Sequence, residues 1–155
     1  MYHPRGFALI ISVIITSVVL AVGIALIDIA YKQVLLSSSA KNSQVAFYNA
    51  DSGLECALYW DQKFNAFDYN APLPATSLSC DLQQISVNPP SSYSTNQSGG
   101  TRVTTFNIPC PGSGYSSTIT IYKQNSGTTD LYSNGYSTCD SASPSRIERG
   151  LKANY

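Results

Sequence analysis

The chain has 155 residues, and its nine basic and nine acidic side chains give a formal net charge of zero. A neutral chain offers no electrostatic surface for nucleic acid and no polybasic patch for anionic lipid. Charged residues make up 12% of the sequence, which is about half of the usual quarter. With about 30 residues in an apolar segment near the start, the remainder suffices for one modest domain.

A long apolar run from Phe7 to Ile29 follows a short head that contains His3 and Arg5. About 20 apolar residues, at roughly 1.5 Å each in a helix, span a hydrocarbon core of roughly 30 Å. The hydroxyl groups within the run cost little, because a helical Ser or Thr can donate to a preceding carbonyl. We therefore predict a membrane-spanning helix. The basic residues ahead of it predict a cytoplasmic head, with the rest of the chain outside.

A secretory signal peptide is the alternative for this run, since it also begins with positive charge ahead of an apolar core. The run is longer than the usual core of about 7 to 15 residues. No small-x-small cleavage site follows it cleanly, and the nearest approach is the segment from Leu35 to Ala40. Both features favour a retained anchor.

The residues from Tyr31 to Phe64 become polar but keep a helical period. Apolar side chains recur there at steps of three and four residues, at Phe47, Ala50, Leu54, Ala57 and Leu58. No proline occurs between Pro4 and Pro72, so proline does not end the helix in this stretch. We predict that the membrane helix continues to about Gln62. Its outer half is then stable only if a downstream element buries the apolar stripe.

The remainder of the chain alternates between turn-rich loops and short strands. Segments rich in Pro, Gly, Ser and Asn predict loops at Asn65 to Pro74 and Asn88 to Gly100. Alternating apolar and polar residues predict strands at 82–87, 101–108, 117–123, 128–133 and 145–155.

The last predicted strand has the clearest alternation. Its apolar face carries Ile147, Leu151, Ala153 and Tyr155. Arg149 falls on the same face, so this side chain must extend to solvent or find a partner. A four- or five-stranded antiparallel sheet, packed on the outer half of the long helix, would bury both apolar surfaces. The predicted fold class is therefore α+β.

Four cysteines, Cys56, Cys80, Cys110 and Cys139, all follow the apolar run. None forms a Cys-x-x-Cys pair, and the only histidine is His3. Tetrahedral zinc needs four soft or imidazole ligands, usually in closely spaced pairs, so no metal site is expected. Outside the cytoplasm the four cysteines predict two disulfides, and all three connectivities remain open.

The sequence shows no catalytic constellation. Catalysis needs a proton acceptor and a means of activating a nucleophile, but no histidine occurs beyond the head and the cysteines are expected to be paired. The acidic residues that follow the apolar run and Asp28 are scattered along the chain, at Asp51, Glu55, Asp61, Asp68, Asp81, Asp130, Asp140 and Glu148. We therefore expect no enzyme activity, no catalytic residues and no cofactor.

Tyrosine is abundant, with eleven residues among many Ser, Asn and Gly. Four of them, Tyr93, Tyr115, Tyr132 and Tyr136, are predicted on or near loops. A tyrosine offers apolar area with a polar tip, so such a set could form a surface that binds sugar or protein. The simpler interpretation is that the tyrosines cover a thin sheet. Trp60 is predicted to pack between helix and sheet.

Three segments carry a resemblance to a known family. The junction Arg5-Gly6-Phe7, followed by Ala8-Leu9-Ile10, resembles the class III signal of type IV pilins. In that family a prepilin peptidase cuts after the glycine, and the new terminal phenylalanine is methylated. Residues 46–55, AFYNADSGLE, look like a segment of PilX-type minor pilins, and residues 135–139 with 146–151 are similar to the terminal strands of that group.

The resemblance implies a division of the chain into four parts. These are a cleaved leader (1–6), a transmembrane and filament-core helix (7–30), an extracytoplasmic part of the same helix (31–64) and a strand-rich domain (65–155). It also implies partners: the prepilin peptidase, the inner membrane and other pilin or pseudopilin subunits.

Two residues depart from the family pattern. Most pilins carry a glutamate at the fifth residue after the cut, thought to pair with the amine of a neighbouring subunit, and here that residue is Ile11. A buried carboxylate is costly unless paired, so its absence implies a subunit that does not dock beside such an amine. The other departure is Asp28, which stands where many pilins have a helix-breaking proline.

The expected function is a structural subunit, minor or tip-located, of a type IV pilus or related pseudopilus. Before assembly it would be a single-pass membrane protein with an extracytoplasmic domain, and afterwards part of a cell-surface or periplasm-spanning filament. The alternative is a membrane-anchored extracytoplasmic binding or adhesion domain that does not enter a filament. A pilus, a secretion pseudopilus and a DNA-uptake apparatus are all compatible with the sequence.

Overall fold

The computed structural model describes residues 5–70, 78–80, 83–85, 93–111 and 113–155. The chain divides into two compact units, Met1–Ala40 and Lys41–Tyr155. One helix, α1 (Arg5–Phe64), runs through residues of both, and seven strands follow it in the described part of the chain. Asn65, in the left-handed region with φ 47°, ends the helix. A single helix that continues past the apolar run was predicted, and the α+β class is confirmed.

The strands form two antiparallel sheets. The smaller pairs β1 (Leu78–Cys80) with β2 (Gln83–Ile85). The larger has five strands in the order in which they occur along the chain: β3 (Tyr93–Ser98), β4 (Thr101–Pro109), β5 (Tyr115–Gln124), β6 (Thr129–Tyr136) and β7 (Glu148–Asn154). Each connection therefore joins neighbouring strands. Four of the five predicted strands lie in this sheet, whereas the predicted strand 82–87 contributes β2 to the smaller one.

One predicted loop was wrong in part, because residues 93–98 of the expected loop 88–100 form β3. The strand pairs with β4 across Gly99 and Gly100, whose positive φ values of 57° and 80° suit a two-residue hairpin turn. Its residues Tyr-Ser-Thr-Asn-Gln-Ser lack an apolar alternation, so periodicity did not detect it. Residues 88–92 lie outside the described residues.

Other strand boundaries in the structure also differ from the predicted ones. Strand β1 was not predicted, and the predicted strand 82–87 is described only at Gln83–Ile85. The last strand begins at Glu148 instead of Ser145, because a turn closed by the bond from Arg146 N to Ser143 O precedes it. Residues 1–4 of the predicted leader and residues 71–74 of the first predicted loop lie outside the described residues.

The core lies between the larger sheet and the outer half of α1. Alternate residues of the middle strands face the helix, so β4 shows strict alternation of buried and half-buried positions. The fully buried apolar side chains include Phe106, Ile119, Ile121 and Leu131 from the sheet. Phe67, which follows the helix, stacks on Phe106 with ring centroids 5.7 Å apart.

The helix face that meets this core is built from small residues. Its buried positions are Ala46, Ala50, Gly53, Ala57 and Asp61, at steps of three and four. The sequence placed Phe47 on this face, which is wrong, since its side chain is 45% exposed. Small side chains lie along the centre of this face, because they allow the helix axis to approach the sheet closely. The larger Leu54 and Leu58 lie beside them and are half-buried.

The closest approach is at Gly135 of β6. A Cβ atom built at Gly135 would overlap the backbone of α1, against the carbonyl oxygen of Ala46 and the nitrogen of Ala50. Across the same interface, a Cβ atom at Gly53 would lie 2.7 Å from Ser133 Oγ. Helix and strand are therefore in backbone contact, and a glycine is required on the strand.

Two disulfides join the elements. Cys56 in α1 is bonded to Cys80 in β1, and Cys110, just after β4, is bonded to Cys139, beyond β6. This selects one of the three possible connectivities. With sequence separations of 24 and 29 residues, loop-closure entropy assigns each bridge a stabilisation of about 3 kcal/mol.

The substitution Gly135→Ala tests the backbone contact. Because its Cβ atom would meet helix backbone, which cannot rotate away, we expect the free energy of unfolding to fall by about 3 kcal/mol. The matched control is Gly150→Ala on β7, where the nearest atom is the movable Oδ1 of Asn134 at 3.0 Å. Chemical denaturation of the detergent-solubilised chain measures both. Equal losses would contradict the close approach.

Candidate assembly helix and its attachment to the sheet

The first part of α1 presents an apolar surface on all sides. From Phe7 to Ile29 its large apolar side chains are between 40% exposed, at Ile11, and 71% exposed, at Ile27. This helix is long and apolar enough to cross a membrane, and none of its most apolar stretch is buried. Soluble monomers rarely expose contiguous apolar patches larger than a few hundred Å². The surface therefore requires lipid or other apolar helices around it.

The polar side chains within the apolar stretch satisfy their own hydrogen bonds. Ser12 Oγ donates to Leu9 O at 2.9 Å, and Ser17 Oγ donates to Ile14 O at 2.8 Å. Thr16 Oγ1 likewise lies 2.9 Å from Ser12 O. These bonds follow the expectation for helical hydroxyls, and they remove most of the cost of placing them in an apolar environment.

The sequence-predicted site residues lie along the helix and are not brought together. Gly6 and Phe7 are in its first turn, and Ile11 is one turn further. Asp28 is exposed on an unbroken helix, and neither ion pair in the described part of the chain involves it. These positions are spread along one helix and form no common site.

The outer half of α1 is attached to the strands by directed hydrogen bonds. Asn49 Nδ2 donates to Tyr136 O at 2.7 Å, and Ser133 Oγ donates to Ala50 O at 2.7 Å. Near the end of the helix, Trp60 Nε1 donates to Ser79 O at 3.1 Å. Trp60 therefore packs between helix and strand, as its position in the sequence predicted. Together these bonds fix the rotation of the helix on the sheet.

Arg149 has the partner that its place on an apolar face required. Its Nε atom donates to Ser43 Oγ on the helix at 2.8 Å. In the strand pairing Arg149 stands opposite Gly135, so its side chain occupies the space beside the close approach. The guanidinium keeps contact with solvent, since the residue is exposed.

A cluster around the buried carboxylate of Asp61 closes the far end of the interface, with Tyr155 at its exposed edge. Asp61 is 2% exposed, and its Oδ2 atom accepts from Lys123 Nζ at 2.7 Å and from Tyr155 Oη at 2.5 Å. Burial, with the hydrogen bond to Asp61, raises the pKa of the Tyr155 phenol. Sequence reasoning counted Asp61 among scattered acids. Its four-residue step from Ala57 was the signal that places it on the buried face.

The described residues contain no group of three or more His, Cys, Asp or Glu that could hold a metal ion. The cluster at Asp61 lies inside the helix–sheet interface rather than in an open cleft. Its chemistry is therefore that of a structural ion pair.

The substitution Asp61→Asn tests the buried pair. It leaves the ammonium group of Lys123, whose side chain is 14% exposed, without a counter-charge, so we expect a loss of about 3 kcal/mol in unfolding free energy. The control is Asp130→Asn in the exposed pair with Lys152, where the loss should be much smaller. Denaturant titration of both variants measures the two losses in unfolding free energy. Similar losses would show that burial does not determine how much the ion pair stabilises the fold.

The raised pKa of Tyr155 predicts a loss of stability at alkaline pH. The phenol titrates at a higher pH in the folded than in the unfolded chain. Its contribution to the free energy of unfolding is therefore complete below the unfolded pKa of about 10 and is lost progressively above that pKa. We expect Tyr155→Phe to be less stable than the parent near neutral pH. The two unfolding free energies should converge as the pH rises past that value. A constant difference across the range would contradict this.

Residues 5–55, about a third of the chain, match the family model described as PilX N-terminal. No curated protein and no solved structure matches the chain. The matched residues comprise the exposed apolar stretch of α1 and the segment whose Ala46, Ala50 and Gly53 pack on the sheet. Pilins of this family are structural proteins that interact with other pilus subunits. Over residues 5–55 the chain is therefore similar to PilX-type, type IV pilin-like proteins.

Proposed function

We propose that the protein is a minor subunit of a type IV pilus or related pseudopilus and that it enters the filament through the apolar part of α1. The observation that carries the proposal is the exposed apolar surface from Phe7 to Ile29, in the segment that matches the PilX N-terminal model. Lipid tails and the apolar side chains of neighbouring helices are similar environments. The same surface therefore serves both as a membrane anchor and as a contact between subunits.

Processing prepares this helix for assembly. A prepilin peptidase in the inner membrane cuts between Gly6 and Phe7, on the cytoplasmic side, and the new amine of Phe7 is methylated. The cut removes the polar head of residues 1–6 and leaves residues 7–30 as the apolar helix. An ordinary signal peptide would lose its apolar core in the same step.

Residue 11 supports a minor or tip position. Ile11 is apolar and 40% exposed, so the helix brings no carboxylate that must find an amine on a neighbouring subunit. A subunit at a filament end has no neighbour ahead of it to supply that amine. Asp28 lies near the other end of the apolar stretch, where a charge can reach the polar edge of the membrane.

The extracytoplasmic unit supports a mechanical role. Residues 41–64 of α1 are held to the sheet by backbone contact at Gly135, by the Cys56–Cys80 bridge and by the buried pair of Asp61 with Lys123. A pull on this part of the helix is therefore passed to the strands without relying on loops. The domain of residues 65–155 would move as the helix moves.

Analysis of the protein from its own host tests processing and assembly together. We expect sheared surface fibres to contain a chain that begins at methylated Phe7, as measured by mass spectrometry of the intact protein. Gly6→Val, which places a branched side chain at the cut, should keep the head and hold the protein in the membrane. Arg5→Lys, which keeps the charge, is the control.

Two results would count against the proposal. An intact Met1 end in extracted filaments would exclude the cut after Gly6. Protein that is absent from fibres but abundant in membranes would favour the alternative, a membrane-anchored extracytoplasmic domain that does not enter a filament.

The position of residue 11 has its own test. If the subunit docks beside no amine, Ile11→Glu buries an unpaired carboxylate among apolar helices and should reduce incorporation into fibres. Ile11→Leu conserves the apolar volume and should leave incorporation unchanged. Quantitative immunoblots of the fibre fraction measure both variants. Incorporation of Ile11→Glu at or above the parent level would contradict the minor or tip position.

A further inference from the structure

The face of the larger sheet that points away from α1 carries a groove of about 510 Å³. Ligand pockets commonly enclose about 300 to 1,000 Å³, so the groove is large enough for a small organic ligand. Its lining is tyrosine, hydroxyl, amide and one carboxylate, and includes Thr120, Tyr122, Gln124, Asp130, Tyr132 and Asn134.

Two aromatic rings dominate the groove. Tyr122 on β5 and Tyr132 on β6 are 39% and 38% exposed. Their ring centroids are 5.7 Å apart with an interplanar angle of 86°. In this edge-to-face arrangement one ring presents its face where the other presents its edge. The pair therefore forms an apolar platform on an otherwise hydrophilic surface.

A carboxylate is held in place beside the platform. Asp130 Oδ1 accepts from Lys152 Nζ and from Asn154 Nδ2, each at 2.9 Å. These hydrogen bonds lower the pKa of Asp130, so its carboxylate is ionised at neutral pH. Lys152 Nζ also lies 5.0 Å from the centre of the Tyr132 ring. Lys152 thus joins Asp130 to the Tyr132 ring, and Asn154 shares the same carboxylate oxygen.

Some polar atoms of the groove remain available for a ligand. Both hydrogen bonds to Asp130 use Oδ1, and within the described residues no side chain donates a hydrogen bond to its Oδ2 atom. The side-chain amide of Asn134 likewise has no hydrogen-bond partner within the described ranges, and the residue is half-buried. An acceptor oxygen and an amide that both donates and accepts therefore flank the aromatic rings.

We propose that this groove binds a neutral saccharide. The C–H face of a sugar ring stacks on an aromatic ring, and its hydroxyl groups both donate and accept hydrogen bonds, as Asp130 Oδ2 and the Asn134 amide require. The charge of Asp130 is balanced by Lys152, so no surplus cation attracts an anionic glycan. A protein partner is less suited, since stable protein interfaces need a fully buried apolar core of larger area.

Binding can be measured on the unassembled full-length chain, so its outcome is independent of filament entry. The chain is solubilised in a zwitterionic detergent without a sugar head group, which would otherwise compete for the groove. The probes are immobilised lactose, maltose, cellobiose, N-acetyllactosamine and chitobiose, with sialyllactose as the anionic comparison. We expect retention of at least one neutral disaccharide and no preference for sialyllactose.

Substitutions locate the site. Tyr122→Ala removes a ring of the platform and Asn134→Ala removes the unpartnered amide, and each should weaken binding about tenfold or more. The control is Tyr48→Ala, which removes a tyrosine that is 65% exposed on the helix and should leave binding unchanged. Denaturant unfolding of each variant shows that it is folded, and Asn134→Ala retains both rings should Tyr122→Ala fail this check.

Three results would overturn the proposal. The first is that none of the neutral disaccharides is retained. The second is that the folded variants at the groove bind as well as the parent. The third is that sialyllactose alone is retained, which would indicate a site for anions elsewhere on the chain.

Discussion

The structure depends on the backbone contact between α1 and β6. Gly135 lets the strand touch the helix at Ala46 and Ala50, and this contact sets the distance at which every other pair across the interface must meet. At that distance the inner side chains of β4 and β5 fill the core, and Lys123 reaches Asp61. A wider spacing would open the core and leave the buried carboxylate without its cation, at a cost of several kcal/mol.

The segments that carried the family resemblance in the sequence are each other's partners in the fold. Residues 46–55 supply the buried helix face, and residues 135–139 supply the glycine and the carbonyl group of Tyr136 that it meets. The stretch 146–151 adds Arg149, which reaches back to Ser43. A change in one of these segments would therefore demand a compensating change in the other.

Much of the fold could be predicted because it follows local periodicity. The helical repeat predicted one helix to about Gln62, and apolar alternation predicted the middle strands. Periodicity did not predict β3, because this strand has no alternation of apolar and polar residues. It also placed Phe47 on the buried helix face, whereas close packing against the sheet selects Ala and Gly there. The disulfide pairing and the groove at Tyr122 depend on residues that are distant in sequence and meet only in the folded chain. The sequence therefore could not select one disulfide connectivity, and it could not locate the groove.

The attachment of the helix also orders events during synthesis. Helix residues Ser43 and Asp61 find their partners Arg149 and Tyr155 only 106 and 94 residues later. The helix emerges first, so the hydrogen bonds of Ser43 and Asp61 to the end of the chain cannot form until β7 has been made. A partly synthesised chain that ends before the strands therefore exposes Ala46, Ala50 and Ala57, and its Asp61 has no partner. Folding of the outer helix therefore waits for β7, and a chain that is cut before Glu148 would leave Asp61 without its hydrogen bond from Tyr155.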